Sequence, residues 1–266
     1  TSTDVVSGMW AAAQHLGFTG GRVLEPSVGV GNFFGLMPAD VRAKSQLFAV
    51  EWDKITSLIA KHLYPSAHVA NAGFQDIEFP ANSFDLVIGN PPFGKDTLYD
   101  KNHPELRSFS IHNFFFAKSI DKVRPGGVLQ MVVSRHLMDA IDSTARDYLA
   151  ERADLIGAIR LPDSAFKANA GTDVVTDIIF LQKREPGAPR KGFDWSDTST
   201  VTTTHPKTGE TFDFNVNSSH NEYEYEFFTS AEEAVKGSAI LWRLSVPATT
   251  QPLKLPGEQL VEGGAE

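Results

Sequence analysis

Short apolar runs alternate with helical patterns over the first 184 residues of the chain. The helical patterns cover 53–63, where Ile55, Leu58, Ile59 and Leu63 share one face, and also 111–123 and 140–150. Pro125-Gly126-Gly127 is expected to stop the second of these helices. Seven segments are predicted as strands: Arg22–Glu25, Leu47–Glu51, His68–Ala70, Phe84–Gly89, Val128–Ser134, Leu155–Leu161 and Val174–Gln182. The alternation predicts an α/β fold with a mostly parallel sheet and helices on both faces, in which the closely spaced last strand can run antiparallel.

The composition changes after Arg184, which predicts two regions. Residues 185–189 read as a Pro/Gly linker, and 205–210 as a turn between two short strands, the second ending near Val216. The segment from Pro247 onward is rich in Pro and Gly. We therefore divide the chain into a large domain over 1–184 and a small, partly irregular, β-containing appendage over 185–266.

The charge distribution limits the possible partners. The net charge is −9, of which residues 1–184 carry −2 and residues 185–266 carry −7. Nucleic-acid binders usually present a basic face, so this chain alone is expected to bind DNA only weakly. There is no cysteine, no metal-ligand clustering among the eight histidines and no apolar run long enough for a membrane span. We expect no metal, no membrane association and a cytoplasmic location.

Two features at predicted strand ends indicate a cofactor that contains adenosine. Glu25 and Pro26 precede a loop with Gly29 and Gly31, which allow a ligand to approach the backbone closely. The third glycine of a dinucleotide fingerprint is missing, and a carboxylate at Glu25 suits an ammonium group better than a pyrophosphate. Glu51 follows Gly31 by 20 residues, the spacing at which an acid meets ribose hydroxyls. A plain strand–helix turn and a helix-capping acid are the alternative interpretations.

The most specific motif is Asn90-Pro91-Pro92-Phe93, which follows the apolar run Phe84–Gly89. The amines of nucleobases are poor nucleophiles, because their lone pairs are delocalised into the ring. The Asn90 side-chain carbonyl and the Pro91 backbone carbonyl can accept both amine hydrogens, whereas an amide cannot act as a base near neutral pH. Phe93 could stack on the base. A simple Pro-Pro turn is the alternative.

Together these motifs resemble the gamma-type N6-adenine DNA methyltransferases, over about residues 1–184. The later segments 113–115, 125–134 and 161–183 continue the likeness, which extends to the methylase domains of phage and plasmid helicase–methylase polypeptides. The resemblance implies a Rossmann-like seven-stranded sheet with the last strand antiparallel, S-adenosylmethionine as methyl donor and a flipped adenine as substrate. It also implies a bacterial, phage or plasmid source and a target-recognition or helicase region elsewhere in a longer polypeptide.

By the motif match, the resemblance assigns residues to the cofactor and to the base. The cofactor-binding set is Glu25 for the methionine ammonium, Pro26, Gly29 and Gly31 beside the cofactor, Glu51 for the ribose, Trp52 next to it, Phe74 against the adenine ring and Thr1 from the most N-terminal motif. The catalytic set is Asn90, Pro91, Pro92 and Phe93, and Phe166 is a candidate second aromatic on the flipped base or a core residue. Gly73 stands where the family usually has an acid that contacts adenine.

Three other functions remain open at this stage. Enzymes with a related Asn-Pro-Pro-aromatic turn, most typically with Tyr in the last position, methylate glutamine side chains in proteins. Methylation of adenine in RNA is another alternative. A catalytically silent cofactor-binding subunit is the fourth reading. Phe93 and the helicase–methylase resemblance favour DNA.

Overall fold

The computed structural model describes residues 1–161, 175–191, 194–204 and 211–217. Its main sheet contains β1 (Gly21–Glu25), β2 (Ser45–Glu51), β3 (His68–Asn71), β4 (Phe84–Gly89), β5 (Val123–Ser134), β6 (Ala153–Leu161) and β7 (Thr176–Lys183). The spatial order is β3-β2-β1-β4-β5-β7-β6. Strands β1 to β5 pair in parallel, and β7 runs antiparallel to both β5 and β6. The predicted seven-stranded methyltransferase-like sheet with an antiparallel last strand is confirmed.

Helices cover both faces of this sheet. They are α1 (Thr3–His15), α2 (Asn32–Gly35), α3 (Ala39–Arg42), α4 (Lys54–Leu63), α5 (Ile111–Lys122), α6 (His136–Asp139) and α7 (Thr144–Arg152), with a short 3-10 helix over Pro104–Leu106. Trp10 of α1 belongs to the buried cluster on one face, whereas Phe116 of α5 and Leu149 of α7 belong to the cluster on the other. A search of the described segments finds no helix with the length and apolarity to cross a bilayer.

Three element boundaries differ from the sequence prediction. Pro125-Gly126-Gly127 lies inside β5, because the strand begins at Val123 and passes through an irregularity in its pairing with β4. A Cβ at Gly127 would lie 2.9 Å from the Asp85 carbonyl oxygen, so glycine allows the two strands to approach. The helix predicted over 140–150 is α7, which begins later, at Thr144, and ends at Arg152, and the short helix α6, which was not predicted, ends just before it at Asp139. Helix α1, which the sequence pattern did not predict, begins at Thr3 and is capped by Ser2, whose hydroxyl accepts a hydrogen bond from Val5 N.

Helix α4 has its predicted apolar face, but that face points away from the sheet. Its contact with the sheet is made by Ser57 and Ala60, which are small enough for close approach. The four larger residues stay accessible, with exposed fractions of 70% for Ile55, 46% for Leu58, 42% for Ile59 and 58% for Leu63.

The described part of the C-terminal region packs on the main domain. Strands β8 (Thr198–Thr204) and β9 (Thr211–Asn217) form an antiparallel pair, as expected for the two short strands. Trp195 is buried in the same cluster as α5 and α7. The Asn217 amide donates hydrogen bonds to the carbonyls of Trp195 at 2.6 Å and Met138 at 3.2 Å. These contacts attach this region to α6 and α7.

Candidate functional site

The parallel sheet brings three of the predicted site residues to one edge. Glu25 ends β1, Glu51 ends β2 and Asn90 follows β4, and these three strands are adjacent in the order β2-β1-β4. A Cβ at Gly89 would lie 3.5 Å from Cγ of Glu25, so the ends of β1 and β4 are in direct contact. This edge, at the carboxyl ends of the strands, is where open α/β sheets bind ligands.

The loop after β1 is held open by two glycines in left-handed conformations. Gly29 has φ 55° and Gly31 has φ 87°, which residues with a Cβ rarely adopt. No atom outside the adjacent residues lies within 4 Å of a Cβ built on Gly29, so the loop backbone is accessible there. At Gly31 a Cβ would overlap the ring of Tyr64, which packs edge-on against Phe34 with ring centroids 5.7 Å apart.

Glu51 links this loop to the start of α4. One carboxylate oxygen accepts a hydrogen bond from Gly29 N at 2.8 Å and the other from Asp53 N at 2.9 Å. The Asn71 amide donates to the carbonyl oxygens of Glu51 at 2.9 Å and Trp52 at 3.0 Å. The Trp52 side chain itself is 80% exposed. The acid is therefore fixed in place, and the indole beside it is available to a ligand.

Glu25 has a very different environment. Its side chain is only 2% exposed, and its Oε2 has no hydrogen-bond partner among the residues that the structure describes. Burial, followed by the nearby charge of Glu51, raises the pKa of Glu25 well above its usual range, and the chain's amino terminus only partly offsets this. A buried carboxylate with a free oxygen fits a cationic ligand group, because an ammonium would supply the missing charge and hydrogen bond.

The Asn90-Pro91-Pro92-Phe93 turn presents an unpaired oxygen. The Asn90 Nδ2 donates to Thr1 Oγ1 at 3.0 Å, and Oδ1 is buried without a partner in the described segments. Thr1 therefore contacts the same turn. Pro91 is buried, Pro92 is exposed, and Phe93 keeps 38% of its surface accessible. The turn combines a fixed hydrogen-bond acceptor with an available aromatic face.

The structure describes one of the two other aromatic candidates, Phe74 and Phe166. Phe74 is 2% exposed and stacks on Phe115 of α5, with ring centroids 5.1 Å apart. Its backbone belongs to the segment that follows β3 at the same edge, but its ring lies in the core. Phe166 lies outside the described residues.

A partly buried ion cluster lies next to the site and is formed by Glu78, Asp100, His103, Lys118 and Lys122. The three potential metal ligands Glu78, Asp100 and His103 offer atoms within 4.8 Å of one another. Lys118 lies 2.5 Å from Asp100 Oδ2, and Lys122 forms an ion pair with Glu78. The two ammonium groups supply the positive charge that a metal would otherwise bring.

The sequence did not single out three residues that shape this site. Asn71 orients the segment around Glu51, Tyr64 packs against the glycine loop, and Lys118 joins two loops. Only Lys118 carried a usable signal, because a lysine between Phe114, Phe115 and Ile120 stands out on an apolar helix. The other two depend on contacts between distant elements.

Comparison with known proteins shows similarity to restriction-modification methylases. Residues 40–166 match the family model of the Eco57I restriction-modification methylases. The Defense against restriction protein B of Escherichia phage P1 is 29% identical over 187 residues, which cover 69% of this chain and 8% of that protein. The chain thus spans a small part of this curated relative.

Solved structures share the fold at low sequence identity. The methyltransferase subunit of a type I restriction-modification system from Streptococcus thermophilus has a TM-score of 0.57 at 18% identity, over 70% of this chain and 45% of that one. The M protein of the type I restriction enzyme EcoKI has a TM-score of 0.54 at 17% identity, over 72% of this chain and 45% of its own. The sheet and these matches show a methyltransferase-like fold, in which residues 40–166 are similar to the Eco57I restriction-modification methylases.

Proposed function

We propose that this chain is the catalytic part of an adenine-specific DNA methyltransferase, which transfers a methyl group from S-adenosylmethionine to the exocyclic N6 of a flipped adenine. The observation that carries this proposal is the buried Oδ1 of Asn90, one strand away from the buried Oε2 of Glu25, neither of which has a hydrogen-bond partner among the described residues. The Asn90 oxygen can accept a hydrogen bond from an amine, and the Glu25 oxygen can pair with an ammonium group. A methyltransferase must hold the methionine part of its cofactor close to the amine that receives the methyl group.

The cofactor side of the site fits S-adenosylmethionine. Glu25 would bind the methionine ammonium, and the open backbone around Gly29 and Gly31 would lie beside the cofactor, flanked by Pro26. Glu51 would accept hydrogen bonds from the ribose hydroxyls. Each of its oxygens already accepts one hydrogen bond from a backbone N–H, but a carboxylate has about four lone-pair positions and can accept more. Trp52 offers an exposed indole next to it. Thr1 and the segment around Phe74 would close the two ends of the pocket.

The substrate side positions the amine and does not deprotonate it. Asn90 Oδ1 and the Pro91 carbonyl would accept the two N6 hydrogens, and Thr1 holds the Asn90 amide so that its oxygen stays in place. Phe93 would stack on the extruded adenine, which contributes about 1–3 kcal/mol. S-adenosylmethionine supplies a sulfonium-activated methyl group, so that the N6 lone pair forms the new bond, a thioether leaves and one proton passes to solvent. Catalysis then comes from orientation and hydrogen bonding.

The test is transfer of tritiated methyl groups to three acceptors: unmethylated plasmid DNA, RNA and a glutamine-containing peptide. We expect uptake into DNA that decreases about 100-fold or more in Asn90→Ala, the loss that follows removal of one positioned transition-state hydrogen bond. Asn82→Ala, at an exposed turn residue outside the site, is the matched control and should keep wild-type uptake.

Each other outcome selects a different function. Uptake only into the peptide would identify a glutamine methyltransferase, and uptake only into RNA would identify an RNA adenine methyltransferase. Cofactor binding without uptake into any acceptor, in a polypeptide that includes its natural flanking regions, would identify a silent cofactor-binding subunit. Digestion of labelled DNA to nucleosides would show whether N6-methyladenine is the product.

We also propose that the methylase acts as one part of a larger DNA-modifying polypeptide or complex in the bacterial cytoplasm. The phage P1 relative is far longer than this chain, and the structural neighbours are named as subunits of restriction–modification systems. The net charge of −9 leaves this chain without an overall attraction to DNA. A recognition or helicase region would then provide most of the DNA affinity.

A further inference from the structure

Lys118 is a fully buried lysine whose three N–H donors are all used. Its Nζ donates to the carbonyl oxygens of Phe74 and Ile77, both at 2.8 Å, and to Asp100 Oδ2 at 2.5 Å. Lys118 and Asp100 have no exposed side-chain surface. Burial opposes the charge of Asp100, but the hydrogen bonds from Lys118 and from Asn102 N lower its pKa below the usual value.

These partners belong to two different segments of the site. Phe74 and Ile77 lie in the segment 72–77, which follows β3 at the cofactor side of the sheet edge. Asp100 lies in the loop 94–110, which follows Phe93 directly on the substrate side. Lys118 sits on α5, and its three bonds join the two segments directly. A second connection lies just beyond segment 72–77, where Glu78 pairs with His103 of the loop at 3.5 Å.

The rest of the substrate-side loop combines exposed side chains with a few buried ones. Lys95, Lys101 and Arg107 are exposed along it, as is Tyr99 at 66%. Leu106 and Phe109 bury their side chains near its end, and Thr97 bridges to Ser110. Between Thr97 and Leu106, Asp100 is the one side chain in the described loop that is fully buried.

We infer that Lys118 is a positioning residue that couples the cofactor-side segment 72–77 to the substrate-side loop 94–110. This inference rests on the proposed methyl transfer. A cofactor that orders segment 72–77 would order the loop through Lys118, and a substrate that orders the loop would tighten cofactor binding by the same factor. A hydrophobic residue at position 118 could fill the space but could not join the two backbones to Asp100.

The coupling can be measured through trypsin cleavage after Lys95, Lys101 and Arg107 in the full chain. S-adenosylhomocysteine, the product left after methyl transfer, is the probe. In the wild type we expect this ligand to slow cleavage in the loop by about fivefold to tenfold, the size of a weak coupling between two sites. In Lys118→Met we expect that protection to disappear.

Arg146→Met is the matched control. Arg146 is also a buried cation, 1% exposed, and it donates to three backbone carbonyls, those of Ser196, Leu137 and Ala140. None of these lies in segment 72–77 or in the loop. The control should lose stability in a similar way and still keep ligand protection of the loop.

If Lys118→Met does not fold, the double variant Lys118→Met/Asp100→Leu replaces the buried pair by apolar residues, which proteins usually tolerate better than one unpaired charge.

Steady-state kinetics separate positioning from general damage. Since Lys118 touches none of the groups proposed to hold the reacting atoms, we expect Lys118→Met to raise KM for S-adenosylmethionine and for DNA by about fivefold to tenfold and to leave kcat within about twofold. A purely structural role would lower the amount of active enzyme and leave KM unchanged.

Several results would overturn the inference. They are loop protection that persists in Lys118→Met, equal loss of protection in Arg146→Met, or a wild-type loop that is not protected by a ligand shown to bind by calorimetry. If calorimetry shows no binding to the wild type, the proposed cofactor is wrong. In that case the ligand-free cleavage rates decide: faster loop cleavage in Lys118→Met than in Arg146→Met supports the link between the two segments, and equal rates refute it.

Discussion

At the scale of single residues, two carboxylates at neighbouring strand ends have opposite environments. Both oxygens of Glu51 accept backbone hydrogen bonds, whereas Glu25 is buried with a raised pKa and with one oxygen that no described residue pairs. The sequence presents both as acids that end a strand. The structure separates them into an acid that organises the backbone and a buried acid whose charge is only partly offset by the chain's amino terminus.

The replacement Glu25→Gln should stabilise the ligand-free protein at neutral pH. A carboxyl group whose pKa is raised on folding contributes stability below its unfolded-state pKa, and this contribution is lost as the pH rises through the folded-state pKa. We expect urea unfolding to show a gain of about 1–3 kcal/mol in the variant at neutral pH, the usual cost of burying an unpaired polar group, and almost no gain near pH 4.

The same variant should lose affinity for S-adenosylhomocysteine in calorimetry, because the amide cannot neutralise an ammonium. Glu51→Gln is the contrasting control. It should destabilise the protein by about 1 kcal/mol, because at least one backbone N–H loses a charged acceptor. A Glu25→Gln variant with lower stability at neutral pH would show that the carboxylate is paired in solution.

Much of this site could be predicted from the sequence, for a topological reason. Glu25, Glu51 and Asn90 each follow an apolar strand, and a parallel sheet necessarily collects such positions at one edge. Lys118 could not be placed in the same way. Its partner Phe74 is 44 residues away, and no local pattern records a contact between a helix and a distant loop.

At the scale of elements, the strands were predicted well and the helix surroundings less well. Buried strands consist of continuous apolar runs bounded by turn residues, so their positions are visible in the sequence. Helical periodicity identifies an apolar face but does not tell which way it points. In α4 the small residues Ser57 and Ala60 meet the sheet, and Ile55 is 70% exposed. Helix α6 has only four residues, too few for a periodic signal.

The glycine loop gives a prediction at this scale, because its two glycines are required for different reasons. Gly29 needs only its left-handed conformation, so Gly29→Ala should cost about 1–2 kcal/mol of stability. Gly31→Ala should cost more, since the new Cβ must also displace the Tyr64 ring. Urea unfolding of both variants measures the difference.

A double-mutant cycle assigns the extra cost to Tyr64. In the Tyr64→Ala background, Gly31→Ala should lose only about the 1–2 kcal/mol that the conformation requires, which gives a favourable coupling between the two sites. Strictly additive effects would mean that the ring moves away without cost. The Gly29→Ala effect should be the same in both backgrounds.

At the scale of the whole molecule, the proposed division into a domain over 1–184 and an appendage over 185–266 remains a prediction about sequence regions. In the described part of the second region, the structure shows extensive contact with the first. Arg146 of α7 donates to the carbonyl of Ser196 at 2.6 Å, and Asn217 donates to that of Met138. Trp195 is 3% exposed within the cluster shared by α5 and α7. These contacts imply a single cooperative unit up to Asn217.

We expect Trp195→Ala to destabilise the whole unit by about 3–5 kcal/mol, as for other buried aromatic residues, because the cavity opens in the core of the main sheet. Hydrogen exchange measured by mass spectrometry provides the decisive test. In the wild type, peptides from β8 and β9 should open together with peptides from α7, with the same free energy of opening. Trp52→Ala is the matched control, since its 80% exposed indole should be removable within about 0.5 kcal/mol. If β8 and β9 exchange much faster than α7, and Trp195→Ala affects only those strands, the C-terminal region is an independent lobe, and the catalytic domain can be treated without it.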